Sequence, residues 1–146
     1  MALLIDTDLL IDLERGRPDA ERALGEEERA ISVITVSELL HGVMRATDAT
    51  RAGRGAFVEH LLAGLRAIPI TEPVARAHAD IWSQTARRGE TIGSHDRSQT
   101  ARRGETIGSH DLWIAATAIA HGLGVATRNS AHFRRVPGLR VVSPES

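Results

Sequence analysis

The sequence predicts an α/β fold in which a central, mainly parallel sheet is covered by helices on both faces. Three observations carry this. Short apolar runs alternate with segments of helical periodicity along the whole chain, and strands joined by helices imply right-handed crossovers between parallel neighbours. The 146 residues, 42% hydrophobic and 25% charged, have the length and balance of one globular domain, so 1–146 is read as a single unit and a disordered or fibrous chain is excluded. There is no Cys. The core must therefore be held by packing, without disulfides or zinc–thiolate sites.

Each element follows from local pattern. Ala2–Ile5 is an apolar run, read as a buried strand. Leu9, Leu10 and Leu13 share a helical face, with Asp8 placed to cap it and Gly16 to end it. Pro18–Glu27 reads as a short polar helix, and Ala30–Ile34 as a second strand. Val36, Leu39, Leu40, Val43 and Met44 then fall on one helical face. Thr50–Leu65 forms another helix, weakened by Gly53 and Gly55. Ala67–Ile70 is a third strand. Thr71 and Pro73 open a helix on which Val74, His78, Ile81, Trp82 and Thr85 share a face. Asp111–His121 is a strongly apolar helix ended by Gly122. Leu123–Thr127 and Arg140–Val142 complete the strands.

One stretch interrupts this order. Ser83–Asp96 reads SQTARRGETIGSHD, and Ser98–Asp111 repeats it residue for residue with Arg97 between. A single tandem copy is no solenoid, which needs several diverged repeats. The added 15 residues are expected to form a surface excursion between Gly89 and Gly108.

Parallel sheets place ligands beyond the carboxyl ends of their strands. There the sequence puts Asp6, then Thr35-Val36-Ser37-Glu38, then Thr127-Arg128-Asn129, while Asp111 opens the buried helix. Asp6, Glu38, Asp111 and Asn129 are thus expected at one edge. Clustered carboxylates repel, and a cation relieves that repulsion. Oxygen ligands without Cys suit Mg²⁺ or Mn²⁺. Each residue also has a structural reading. Thr35 and Glu38 fit a capping box, Asp111 an N-cap and Asn129 a turn. Asp6 is harder to explain that way, because it directly follows an apolar strand.

Composition narrows the function. Arg supplies all 18 basic residues against 19 acids, a net charge of -1, so no global basic field draws nucleic acid. Phe57, Trp82, Trp113 and Phe133 are the only aromatic residues besides the histidines, too few for a base-stacking sheet. Any nucleic-acid role must be local. Arg128 and the Arg102-Arg103 pair are candidates to hold phosphates near the acidic edge. His41, His60 and His78 are read as packing residues, and His132 lies near the rim of the site. The N-terminal run is neither a signal peptide nor a membrane span, which makes a cytoplasmic protein the expectation.

Four motifs occur in order: Leu4-Ile5-Asp6-Thr7-Asp8-Leu9-Leu10-Ile11, Thr35-Val36-Ser37-Glu38-Leu39-Leu40-His41-Gly42, Ile107-Gly108-Ser109-His110-Asp111-Leu112-Trp113-Ile114, and Ala126-Thr127-Arg128-Asn129-Ser130-Ala131-His132-Phe133. Together they resemble the PIN-domain ribonucleases, specifically VapC-type toxins of toxin–antitoxin pairs. The resemblance covers essentially the whole chain. It implies a three-layer α/β/α sandwich and Mg²⁺- or Mn²⁺-dependent cleavage of RNA phosphodiesters by a metal-activated water. It implies that Asp6, Glu38 and Asp111 are the metal carboxylates. Asn129 matches a variable fourth position at which many relatives carry Asp. It further implies a homodimer and a cognate VapB-type antitoxin that blocks the site. The duplication departs from the pattern. Asp96 and Asp111 share the same preceding residues, but only Asp111 leads into the expected apolar helix.

Two other readings compete. Ile5-Asp6-Thr7-Asp8 resembles the Asp-x-Asp opening of haloacid-dehalogenase-type phosphatases. Those enzymes also use a later basic residue, usually Lys, which this chain lacks. A PIN-fold binding module inactivated by the insertion is the second.

Overall fold

The computed structural model describes residues 2–87 and 107–144. In chain order, β1 is Ala2–Ile5, α1 Thr7–Glu14, α2 Pro18–Leu24, β2 Glu28–Ser32, α3 Val33–Met44, α4 Asp48–Ala63, β3 Arg66–Ile68 and α5 Glu72–Arg87. Then follow α6 Ser109–His121, β4 Gly124–Ala126, α7 Ser130–Phe133 and β5 Val141–Val142. The expected surface excursion, Asp96 and the Arg102-Arg103 pair lie outside the described residues.

All strand pairs are parallel, in the order β3-β2-β1-β4-β5. The chain winds outward from β1 to β3, then returns to the other side of β1 for β4 and β5. The reversal leaves a crevice between the carboxyl ends of β1 and β4.

Two apolar clusters sit on opposite faces of the sheet. Leu4 joins Ile68, Val74, Ile81, Leu112, Ile114 and Phe133 under α5, α6 and α7. Leu3 and Ile5, pointing the other way by strand alternation, join Leu9, Leu13, Leu24, Leu39, Val58 and Leu61 under α1 to α4. This is the three-layer α/β/α sandwich. Among the described residues, no helix is long and apolar enough to cross a membrane.

Several boundaries move by one or two residues, as terminal turns fray. Three helix caps differ from those expected. Asp6, not Asp8, caps α1: its side chain accepts from the Thr7 amide. Ser32, not Thr35, caps α3, accepting from the Ile34 amide. The strand ends earlier than its β-branched run, because Val33 and Ile34 already begin the helix. Thr35 is buried inside α3 with its hydroxyl unbonded among the described residues, so the Thr35–Glu38 capping box does not form. Gly108 precedes α6, which places Asp111 third in that helix and not at its cap. Despite Gly53 and Gly55, α4 is continuous, because Val58 and Leu61 dock it on the sheet.

Candidate active site

The crevice between β1 and β4 collects the acids. Asp6 leaves β1 while its amide still donates to the Ala126 carbonyl at 2.9 Å, so the β1–β4 ladder fixes its backbone. Its Oδ1 accepts from the Thr7 amide at 2.9 Å, and its Oδ2 accepts from the buried Thr127 hydroxyl at 2.8 Å. Burial pushes the Asp6 carboxyl above its ordinary range, and the charges of Glu38 and Asp8 push the same way. The bonds from Thr127 and Thr7 offset part of this.

Glu38 arrives from the second turn of α3. Its Oε1 accepts from the Thr7 hydroxyl at 3.0 Å, and its Oε2 lies 3.5 Å from His110 Nδ1. Thr7 thus ties the two acids together, its amide on Asp6 and its hydroxyl on Glu38. Asp111 comes from the first turn of α6, a helix anchored by buried Leu112, Ile114, Ala115 and Ala116. Its carboxyl is pushed up to about 6, first by burial and then by the charge of Asp6, with Glu38 adding and His132 opposing. His132 Nδ1 stands 3.8 Å from Asp111 Oδ2.

Asn129 sits one step further out. Its amide N–H donates to Thr127 Oγ1 at 2.8 Å, and its side-chain amide is 2.9 Å from His132 Nδ1. It meets Asp111 only through that ring. The structure therefore brings Asp6, Glu38 and Asp111 into mutual electrostatic contact, with Asn129 at their rim. Among the described residues, no three acid or imidazole side chains already close on one point as a finished cation cage.

Residues 3–139 match the PIN domain family. Ribonuclease VapC1 of Rickettsia felis is 33% identical over 147 aligned positions, which span all of this chain and 98% of that protein. The chain belongs to the PIN-domain family, in its VapC group. Among solved structures, VapBC-1 from nontypeable Haemophilus influenzae overlays with a TM-score of 0.74 at 24% identity, covering 100% of both chains, which speaks for the fold alone. VapBC-5 from Mycobacterium tuberculosis, a member of the VapBC family of toxin–antitoxin systems, overlays at 0.66 with 28% identity, covering 97% of this chain and 96% of that one. These relatives do not support the phosphatase alternative.

Two features of this PIN domain were not anticipated from its sequence. The hydroxyls of Thr7 and Thr127 orient the acids, and their one signal is position, since each directly follows a strand or its terminal acid. Arg128 is not free for phosphate. Its guanidinium pairs with Asp12 of α1, and its Nη2 also lies 3.0 Å from Asp19 of α2. It clasps the first two helices to the segment after β4.

Proposed function

We propose that this PIN domain is a divalent-metal-dependent endoribonuclease toxin, with Asp6, Glu38 and Asp111 as its metal-binding carboxylates. The observation that carries the reading is the meeting of three acids from three separate elements at the sheet's switch point. Burial and the charges of neighbouring acids raise Asp6 and Asp111, while the imidazoles of His132 and His110 stand beside Asp111 and Glu38. Such a donor set fits a hard divalent cation, Mg²⁺ or Mn²⁺. Its arrival would relieve the repulsion that the fold imposes.

The chain's own residues prepare the site. Thr127 holds one Asp6 oxygen and Thr7 holds the other, so the carboxylate has one orientation. The Thr7 hydroxyl fixes Glu38, and the docked α6 fixes the backbone of Asp111. Ligands held by a packed framework lose little entropy when they bind. A bound divalent cation supplies electrophilic polarisation of a phosphoryl oxygen and acidifies water. Asn129 adds an uncharged amide at the rim, so the fourth position contributes no fourth negative charge.

The kinship with a 28%-identical member of a toxin–antitoxin system supports a small VapB-type protein as partner. Coexpression with a protein encoded beside this chain should give a stable complex with suppressed cleavage. The catalytic test is direct. RNA incubated with the protein and Mg²⁺ or Mn²⁺ should be cut internally. Asp6→Asn should lower cleavage by several orders of magnitude with an unchanged circular dichroism spectrum. Equal cleavage in excess EDTA would overturn the metal assignment. No cleavage under any metal would favour the inactivated binding module.

A further inference from the structure

A cleft of about 530 Å³ opens beside Glu38, and its walls carry Ser37, His41, Gly42, Arg45, Arg54 and His110. Glu38, Gly42 and Arg45 are spaced to lie on one face of α3. Arg54 comes from α4, which packs beside α3. A second hollow of about 270 Å³ shares Thr7, Glu38, Gly42 and Arg54 with the first, and adds Arg15 from the end of α1.

Several arginines elsewhere on the molecule are already neutralised. Arg29, Arg51, Arg76, Arg128 and Arg140 each pair with an acid. Arg45 and Arg54 are exposed, and among the described residues neither guanidinium has a hydrogen-bond or ion-pair partner. In a chain with more acids than bases, two unneutralised guanidinium groups facing one cleft from two helices form a local cationic lobe. It lies next to a site whose own acids repel RNA. At 1.5 Å rise per residue, the Arg45 backbone lies about 10 Å along α3 from that of Glu38. That offset suits a neighbouring phosphate, not the one that reacts at the carboxylates.

We propose that Arg45 and Arg54 form a subsite for an RNA backbone phosphate flanking the scissile one. The proposal rests on the ribonuclease reading above and extends it. The subsite would supply the attraction that the net charge denies and set the strand's position across the acids. Gly42 borders open space in this wall: a Cβ there would meet nothing within 4 Å.

The test uses the full chain, a fluorescein-labelled single-stranded RNA and a salt titration of its affinity. Arg45→Gln and Arg54→Gln are surface changes, and thermal melts should match the wild type. Each should weaken binding several-fold at low salt. Each should also lower the slope of log affinity against log salt by about 0.7, the loss of one single-strand phosphate contact. KM should rise with kcat on saturating RNA within about twofold. Arg76→Gln, a change at an ion-paired arginine of α5, should leave the slope alone. Unchanged slopes for both cleft variants, with wild-type cleavage intact, would overturn the subsite and leave the ribonuclease reading standing. Unchanged RNA slopes with lost binding of an acidic peptide would assign the cleft to a protein partner and overturn it too. A wild-type protein that neither binds nor cuts RNA would overturn both readings.

Discussion

Glu38 shows why a single residue needs its surroundings before its role can be argued. In the sequence it satisfied a capping box as well as a ligand position. The structure removes the first role, since Ser32 caps α3 and Glu38 sits a turn further in, held by Thr7. Glu38→Gln should therefore leave stability almost unchanged while RNA cleavage falls at least about tenfold, one lost charge interaction being worth more than 1 kcal/mol. Full activity in that variant would remove Glu38 from the ligand set. Asp111 gives a prediction with a sign. Its folded value of about 6 lies above its ordinary 3.8. Between those values the folded chain holds the proton more tightly than the unfolded chain, so stability falls as pH rises through this window. Asp111→Asn removes the buried charge. In EDTA at pH 7.5 the variant should be more stable than the wild type by about 1–3 kcal/mol, and the gain should vanish below about pH 4. Urea unfolding at both pH values measures it, and a less stable variant at pH 7.5 would contradict the argument. Thr7 and Thr127 were not legible beforehand. A hydroxyl after a strand is ordinary, and only the fold shows that both aim at carboxylates.

At the scale of elements, legibility follows the range of the interactions. The strands and the apolar α6 were readable because burial on both faces of a parallel sheet demands unbroken apolar runs. Asp6 and Asp111, two of the four proposed site residues, were readable for a related reason: an acid placed directly after such a run, or at the head of such a helix, is held there by its neighbours in sequence. The helix caps lie two or three residues before the expected ones; at α3 this is because β-branched Val33 and Ile34 look like strand yet already turn into the helix. The role of Arg128 has no local signature, because its partners Asp12 and Asp19 lie 116 and 109 residues away. No local pattern records such a pairing. One local signal was decisive: Gly122 ends α6 in the left-handed region at φ 67°. Its amide donates to the Ile119 carbonyl at 3.3 Å, and Leu123 returns to Ala118 at 2.8 Å. Gly122→Ala has room for its Cβ, so its cost is backbone strain alone, about 1 kcal/mol. The expected fall in Tm is about 2–4 °C. No fall would mean that the helix end relaxes freely.

For the whole molecule, the duplication poses the sharpest question, and the structure divides its two copies. Ser83–Arg87 of the first copy forms the last turns of α5, with Thr85 buried. Ile107 to Asp111 of the second copy leads into α6, with Ile107 buried. Each copy thus supplies one half of what the sandwich uses. Removing Ser83–Arg97 or Arg97–Asp111 yields one and the same sequence, in which a single copy provides both halves. The link between Arg87 and the buried Ile shortens to four residues, an ordinary connection between packed helices. Closing a shorter loop also costs slightly less entropy, about 0.6 kcal/mol per halving. The shortened protein should fold with equal or higher Tm and cut RNA at least as fast. The same division favours Asp111 as the proposed third acid. Asp111 precedes Leu112, which is anchored in the core, whereas Asp96 is followed by Arg97-Ser98-Gln99, with no apolar anchor. In the full chain Asp111→Asn should abolish cleavage and Asp96→Asn should leave it within about twofold. The reverse pattern would place the first copy's acid in the crevice, and would predict that a chain with its register shifted by one copy is the active form.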